Sequence, residues 1–214
     1  MIDVAFCVHV SDSQNVNAMK TFLKSVVRRF AIDVYTEGKT KMVRFAVVNY
    51  PTTSQANIIY FNEYNSYTEG WNLIDQMQFT TGSAGSVSEC FETLESSIFA
   101  GGNGNRFYAT NRTIIITDNE LSASQSSISD YVQRFNQNSH MAFSAMQIGN
   151  TAGSGQNCQV LEYIVQSSDQ LTTQQSCSEI NSYDWASLND VSNVNWAIEQ
   201  VCPNVKDGDY YYSF

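Results

Sequence analysis

The chain has 214 residues, enough for one α/β domain with a sizeable core and few for two. Its 43% hydrophobic and 13% aromatic content excludes a disordered chain. A net charge of −10 with only 11 Lys and Arg excludes the basic footprint that a nucleic-acid backbone demands.

The first stretch organises the rest. Ile2, Val4, Phe6, Val8 and Val10 alternate with Ala5 and Cys7, so apolar side chains point both ways. This predicts a strand buried on both faces, as in the middle of a parallel sheet. It stops in Ser11, Asp12 and Ser13, and the loop leaving a central strand at its carboxyl end is where open α/β sheets bind ligands. Val16, Met19, Phe22, Leu23, Val26, Val27 and Phe30 then recur at spacings of three and four, an amphipathic helix with Ser13 as the expected N-cap and Lys24, Arg28 and Arg29 near its carboxyl end. Residues 42–50 predict a second strand halted by Pro51, and residues 57–61 a short third one. Trp71, Leu73, Ile74 and Met77 mark a short helix. The segment TTGSAGS, 80–86, opens a helix with an apolar face of Val87, Cys90, Phe91, Leu94 and Ile98.

A Gly/Asn loop at 101–105 leads to an apolar strand over 112–118 that again ends in small polar groups. Ile128, Tyr131, Val132 and Phe135 predict a helix, residues 141–149 a fifth strand, 160–165 a short helix and 170–175 a last strand. Leu188, Val191, Val194, Ile198 and Val201 predict the closing helix. Strand and helix alternate throughout, giving a doubly wound, largely parallel α/β sheet with helices on both faces. The expected domain is 1–203, with 204–214 a tail or linker.

No stretch approaches the ~20 apolar residues of a membrane span. The start has no basic flank, long apolar segment or small-residue cleavage site, and Met1 abuts a core strand, so the expectation is a chain whose signal peptide has been removed. Low charge with abundant Ser, Thr, Asn and Gln leans the same way, toward a secreted protein. Of five cysteines, Cys7 and Cys90 read as buried free thiols, while Cys158, Cys177 and Cys202 lie in the polar last third, where a disulfide fits an oxidising compartment. Asn111-Arg112-Thr113 is a glycosylation acceptor triplet. No Cys/His cluster has zinc-site spacing.

Three polar loops, 9–14, 80–85 and 118–122, converge at one edge of this sheet. The succession DVAFCVHVSDS, TTGSAGSV opening a helix, TIIITDNELS and MAFSAMQIGN resembles a von Willebrand factor type A domain over roughly residues 2–202. The resemblance implies a metal-ion-dependent adhesion site, in which a D-x-S-x-S motif, a Thr of the second loop and an Asp after the fourth strand hold a divalent cation. Ser11 and Ser13 match the motif serines, Asp118 matches the Asp, and Thr81 matches the threonine in the register that keeps Val87, Cys90, Phe91 and Leu94 on the helix core face. Taking Ser83 instead would put Glu89 there. His9 stands where the family has its first Asp, and Asn119 where a Gly is common.

Magnesium wants hard oxygen ligands and one or two carboxylates, and imidazole suits zinc, copper, nickel or iron better. Three states therefore stay open: an intact Mg²⁺ or other divalent-cation site, a metal-free degenerate site, or a site for a softer metal. Each residue also has a structural role open to it: His9 as a satisfied strand-end histidine, Ser11 and Ser13 as helix caps, Asp118 as a turn cap. Ser11, His9 and Asp118 do not form a hydrolase elbow, and no phosphate-loop motif follows the first strand. The expectation is a non-catalytic extracellular adhesion module that binds a protein or matrix ligand, through an acidic group where a cation is present. Alternatives are a self-assembling matrix protein and an intracellular scaffold of the same fold.

Overall fold

The structure is a computed structural model that describes residues 1–30, 43–82, 85–118, 125–139, 141–149, 155–167, 176–180 and 183–202. The predicted last strand at 170–175, His140, Asn119 and the tail from 203 lie outside these residues.

Strands β1 (Ile2–Val8), β2 (Val43–Asn49), β3 (Ile58–Ile59), β4 (Thr110–Thr117) and β5 (Ala142–Gln147) form a sheet of order β3-β2-β1-β4-β5. All neighbours are parallel except the antiparallel β2–β3 pair. The period of two in β1 sorts its side chains as expected. Val4, Phe6 and Val8 join a core with Phe45, Val47, Ile114 and Ile116 beneath α1 (Val16–Val27), α2 (Tyr67–Gln76) and α7 (Val191–Val201). Ala5 and Cys7 face the opposite core with Ala46, Val48, Ile115, Phe143 and Ala145. That core is covered by α3 (Val87–Thr93, continued by a π-turn over Leu94–Ile98), α4 (Gln125–Ser139), α5 (Gly155–Gln166) and α6 (Cys177–Ile180). Fully burying side chains of this size stabilises by about 1.5–3 kcal/mol each, which is why a central strand can be apolar throughout. Among the described residues, no helix is long and apolar enough to cross a membrane.

Several sequence expectations shift. The third strand shrinks to two residues, with side chains bonding the backbone of the turn before it and of the facing strand. Asn57 Oδ1 accepts from Thr53 N and Ser54 N at 3.0 and 2.9 Å. The Tyr64 hydroxyl accepts from Phe45 N and donates to Phe45 O at 2.6 and 2.9 Å, closing the edge of β2. Ser13 is not the N-cap: Asp12 accepts from Gln14 N at 2.9 Å and caps a 3₁₀ turn over Ser13–Asn15 that feeds α1. The 160–165 helix extends to Gly155–Gln166, and the closing helix starts at Val191, with Asp190 as its N-cap residue. A single parallel bridge from Ile148 to Tyr183 extends the β5 edge.

The cysteines divide differently from expectation. Cys7 and Cys90 are not free thiols but a disulfide, tying the central strand to α3 across 83 residues with Cα atoms 6.0 Å apart. The two residues lie a few positions from His9 and from loop 80–86, so the bond clamps the sheet to the helix just below the loop edge. Cys158 is bonded to Cys177, which leaves Cys202 free. Burial pushes the Cys202 thiol up, opposed by the neighbouring Arg112 guanidinium.

At the amino end of β1, Asp3 is fully buried and unforeseen by the periodicity. Its carboxylate accepts from Arg106 Nε, Nη2 and backbone N at 2.9, 2.6 and 2.7 Å, while Arg106 Nη2 also donates to Ile2 O at 2.9 Å. Asn111, in β4, is 7% exposed. The triplet is therefore on a strand inside the sheet rather than on a surface loop, and the folded chain leaves no room there for a glycan.

Two outcomes check this arrangement. Thiol titration of the denatured, unreduced chain is expected to find one free thiol, Cys202, where an all-reduced chain would show five. Asp3→Ala leaves a buried guanidinium unpaired and is expected to cost about 3–5 kcal/mol in urea unfolding.

Candidate functional site

The carboxyl ends of β1 and β4 lie side by side in register, Val8 opposite Ile116, and His9 N extends the ladder to Ile116 O at 2.8 Å. This register carries His9 and Ser11 onto Asp118, 109 and 107 residues away in sequence. Ser11 N donates to both carboxylate oxygens at 2.9 Å. Ser11 Oγ donates to Oδ2 at 2.9 Å, and His9 Nδ1 lies 3.1 Å from Oδ1. Both side chains are closed off from water, at 1% exposure for His9 and 2% for Asp118. A carboxylate buried this deeply must be hydrogen-bonded or paired, and these donors satisfy both of its oxygens.

The second loop packs on the imidazole from the other side. Gly85 N donates to His9 Nε2 at 3.3 Å. A Cβ on Gly85 would come 2.8 Å from His9 Cδ2 and 2.9 Å from Tyr50 Cδ2 and Pro51 Cδ, so only glycine fits. The Tyr50 ring lies 5.3 Å from the imidazole, and burial raises its phenol well above the ordinary value, keeping it neutral. Because Nε2 accepts, a neutral ring carries its proton on Nδ1, aimed at Asp118. Asn49, buried at the end of β2, donates to Val8 O at 3.1 Å and accepts from Thr80 N at 2.6 Å, while Gly82 N donates to Ser11 O at 2.8 Å. These contacts hold the second loop against the first.

The predicted site residues therefore separate into two sets. His9, Ser11 and Asp118 are brought into direct contact. Ser13 is exposed in the 3₁₀ turn. Thr81 is half-buried between the tethered Thr80 and Gly82, so its backbone lies against the first loop. Ser83, the alternative to Thr81, lies outside the described residues, and Glu89 is exposed while Val87, Cys90, Phe91 and Leu94 are buried. Sequence reasoning missed Gly85, Asn49 and Tyr50. The signal for Gly85 was present in TTGSAGS, but nothing local shows that a histidine packs on it.

The von Willebrand factor type A domain model matches residues 3–194. The chain belongs to this family. None of the curated proteins matches it significantly in sequence, but solved structures match its fold. Proximal thread matrix protein 1 from the mussel byssus matches with TM-score 0.65 and 17% identity over 94% of this chain and 48% of that chain. A structure of the same protein with a zinc-occupied MIDAS motif matches with TM-score 0.68 and 16% identity, again over 94% and 48%. The manganese-loaded TRAP protein of Plasmodium vivax matches with TM-score 0.57 and 15% identity over 95% and 72%. The chain spans about half the length of the byssus protein's chain. At these identities the likeness shows the A-domain fold.

Two of these relatives are thus structures with a metal, and the residues here can be tested against one. A divalent cation at this edge would need lone pairs from Asp118, Ser11 and the residue at position 9. The Asp118 oxygens accept hydrogen bonds and the Ser11 hydroxyl donates one, which leaves each of them lone pairs, but both His9 nitrogens are engaged, Nδ1 with Asp118 and Nε2 with the Gly85 amide. Among the described residues, no group of three or more His, Cys, Asp or Glu is placed to hold a metal. Among the described residues, an engaged imidazole at position 9, where the family has a carboxylate, is a poor fit to a hard divalent cation.

Gly85→Ala is expected to destabilise by about 1–3 kcal/mol through overpacking against the imidazole. Gly82→Ala, with φ +87° and open space around a Cβ, is expected to lose only about 1 kcal/mol through its left-handed backbone. Urea midpoints of the two variants check the difference.

Proposed function

We propose that this chain is a non-catalytic, extracellular protein-binding module of the A-domain type, and that it holds a partner protein or matrix component at the loops of the carboxyl edge. The observation that carries the reading is the preassembled edge. Loops 11–15 and 80–82 are joined by the Gly82–Ser11 hydrogen bond and anchored on Asp118. They present Asp12, Ser13 and Gly82 exposed beside the half-buried Thr81. Such a rigid rim of hydroxyls, carboxylate and backbone amides can be recognised by a partner with little ordering cost. Membership of the A-type family supports a binding role, and two disulfides fit an oxidising compartment.

The geometry also supports the absence of catalysis. The imidazole–carboxylate contact is like half of a hydrolase triad, but Ser11 Oγ donates to Asp118, and His9 Nε2 accepts from Gly85 rather than from a nucleophile. Capture of an acidic group would require a cation at the rim. With none fitted and a net charge of −10, the bare rim favours neutral or basic partner groups.

A second reading is a structural matrix component that assembles with copies of itself. The byssus relative, named as a thread matrix protein, favours it. Concentration-dependent sedimentation separates the two readings.

The test is binding of the chain to immobilised extracellular matrix. Ser13→Arg combined with Thr81→Arg is expected to weaken binding about tenfold or more. Phe107→Ser, at the opposite edge where that ring is 96% exposed, is expected to leave it unchanged. The reverse pattern would move the binding face to the amino edge.

A further inference from the structure

We propose that His9 takes the place of the divalent cation in this chain, so that the adhesion edge is assembled by hydrogen bonds and is indifferent to metal. The inference concerns the chemistry of the site itself and stands whether or not the carboxyl edge proves to be the binding face.

The argument starts from charge. In a cation site, carboxylates at the ends of neighbouring strands repel one another until a metal bridges them. Here the residue at position 9 is an imidazole, which contacts the Asp118 carboxylate at 3.1 Å where a second carboxylate would repel it. Between positions 9 and 118 there is then an attraction rather than a repulsion for a metal to relieve. Three donor groups on the chain stabilise that carboxylate: the Ser11 amide, the Ser11 hydroxyl and the His9 Nδ1–H, at 2.9, 2.9 and 3.1 Å. The amide is shared between the two oxygens, since it is also 2.9 Å from the second.

Imidazole is itself a good ligand for zinc and copper, so a softer metal needs separate treatment. Ligation requires an unprotonated ring nitrogen with an open approach. Nε2 is unprotonated but receives the Gly85 amide at 3.3 Å. Nδ1 therefore carries the proton and has no lone pair to offer. Moving the proton to Nε2 would set an N–H against the Gly85 N–H and a lone pair against the Asp118 carboxylate, and turning the ring over would put carbons in place of both nitrogens, so either change loses both attractions. The ring is also held physically, by Gly85 on one side, where not even a methyl group fits, and by Tyr50 on another. With 1% of the His9 side chain and 2% of the Asp118 side chain exposed, neither group is open to an ion that keeps part of its hydration shell, as magnesium does.

The test uses the intact chain and two independent readouts. After chelator treatment, Mg²⁺, Mn²⁺ and Zn²⁺ are titrated calorimetrically, and Tm is measured with each ion and with EDTA. The wild type is expected to give no saturable heat and an unchanged Tm. His9→Asp is expected to acquire saturable Mg²⁺ or Mn²⁺ binding with a rise in Tm. Binding of any of the three ions by the wild type that disappears in Asp118→Ala would overturn the proposal. So would a folded His9→Asp that binds none, because His9 would not then be what excludes the ion. Should His9→Asp fail to fold, nitrogen NMR of the wild-type imidazole decides, with His140→Gln assigning the only other histidine. The Nδ1–H tautomer unchanged by Zn²⁺ is the expected result, and a zinc-dependent shift of the His9 nitrogens would overturn it.

Discussion

The central strand is buried on both faces, and the rest of the molecule follows from the need to end it. Between Val4 and Val8 every side chain is apolar and fully buried, so β1 contributes strongly to both cores but offers no polar group until its ends. At each end the chain places a buried polar pair across to the segment around β4. Asp3 meets Arg106, just before β4, at the amino end, and His9 meets Asp118, just after β4, at the carboxyl end. A buried charge without partners is costly, so these two contacts fix the register of the two central strands and, with it, which loops meet at each edge.

The two ends are nonetheless built for different work. The amino end is a closed structural lock: the Arg106 guanidinium and its own backbone amide saturate Asp3. The carboxyl end is a lock with a polar rim. Asp118 is satisfied from below by His9 and from the loop by Ser11, and the second loop is drawn in by Gly82 and Gly85. The Cys7–Cys90 bond fixes the helix that follows that second loop to the strand that carries His9. In the A-type family the resemblance leads one to expect a cation that knits such loops together. In this chain, hydrogen bonds, one glycine contact and a disulfide join these loops and the helix behind them.

This arrangement reconciles the acidic composition with a binding edge. The rim exposes Asp12, Ser13 and Gly82 on a chain of charge −10. Recognition by such a surface depends on shape and hydrogen-bonding complementarity, with charge acting against acidic partners. The matrix-protein relative and the disulfides are in keeping with a role outside the cell, where preassembly without a metal would make the contact independent of the local supply of divalent ions.

Local pattern was enough to read the architecture. The alternation in residues 2–10, the spacings of three and four in residues 16–30 and 87–98, and the polar stops after β1 and β4 each reflect burial of one face or two, which is written into hydrophobic periodicity. The order of motifs likewise pointed to the A-type family, and His9 was visible as the departure from it. What those patterns could not carry were contacts between distant residues. The pairing of Cys7 with Cys90, of Asp3 with Arg106 and of Asn49 with Thr80, and the hydrogen bonds of Tyr64 to Phe45, depend on which segments become neighbours after folding. The state of the site belongs to the same class. Composition left His9 as a metal ligand, a satisfied histidine or a vestige, because an imidazole can donate, accept or ligate. Only the tertiary structure shows what surrounds the ring, by placing the Gly85 amide on one ring nitrogen and the Asp118 carboxylate on the other.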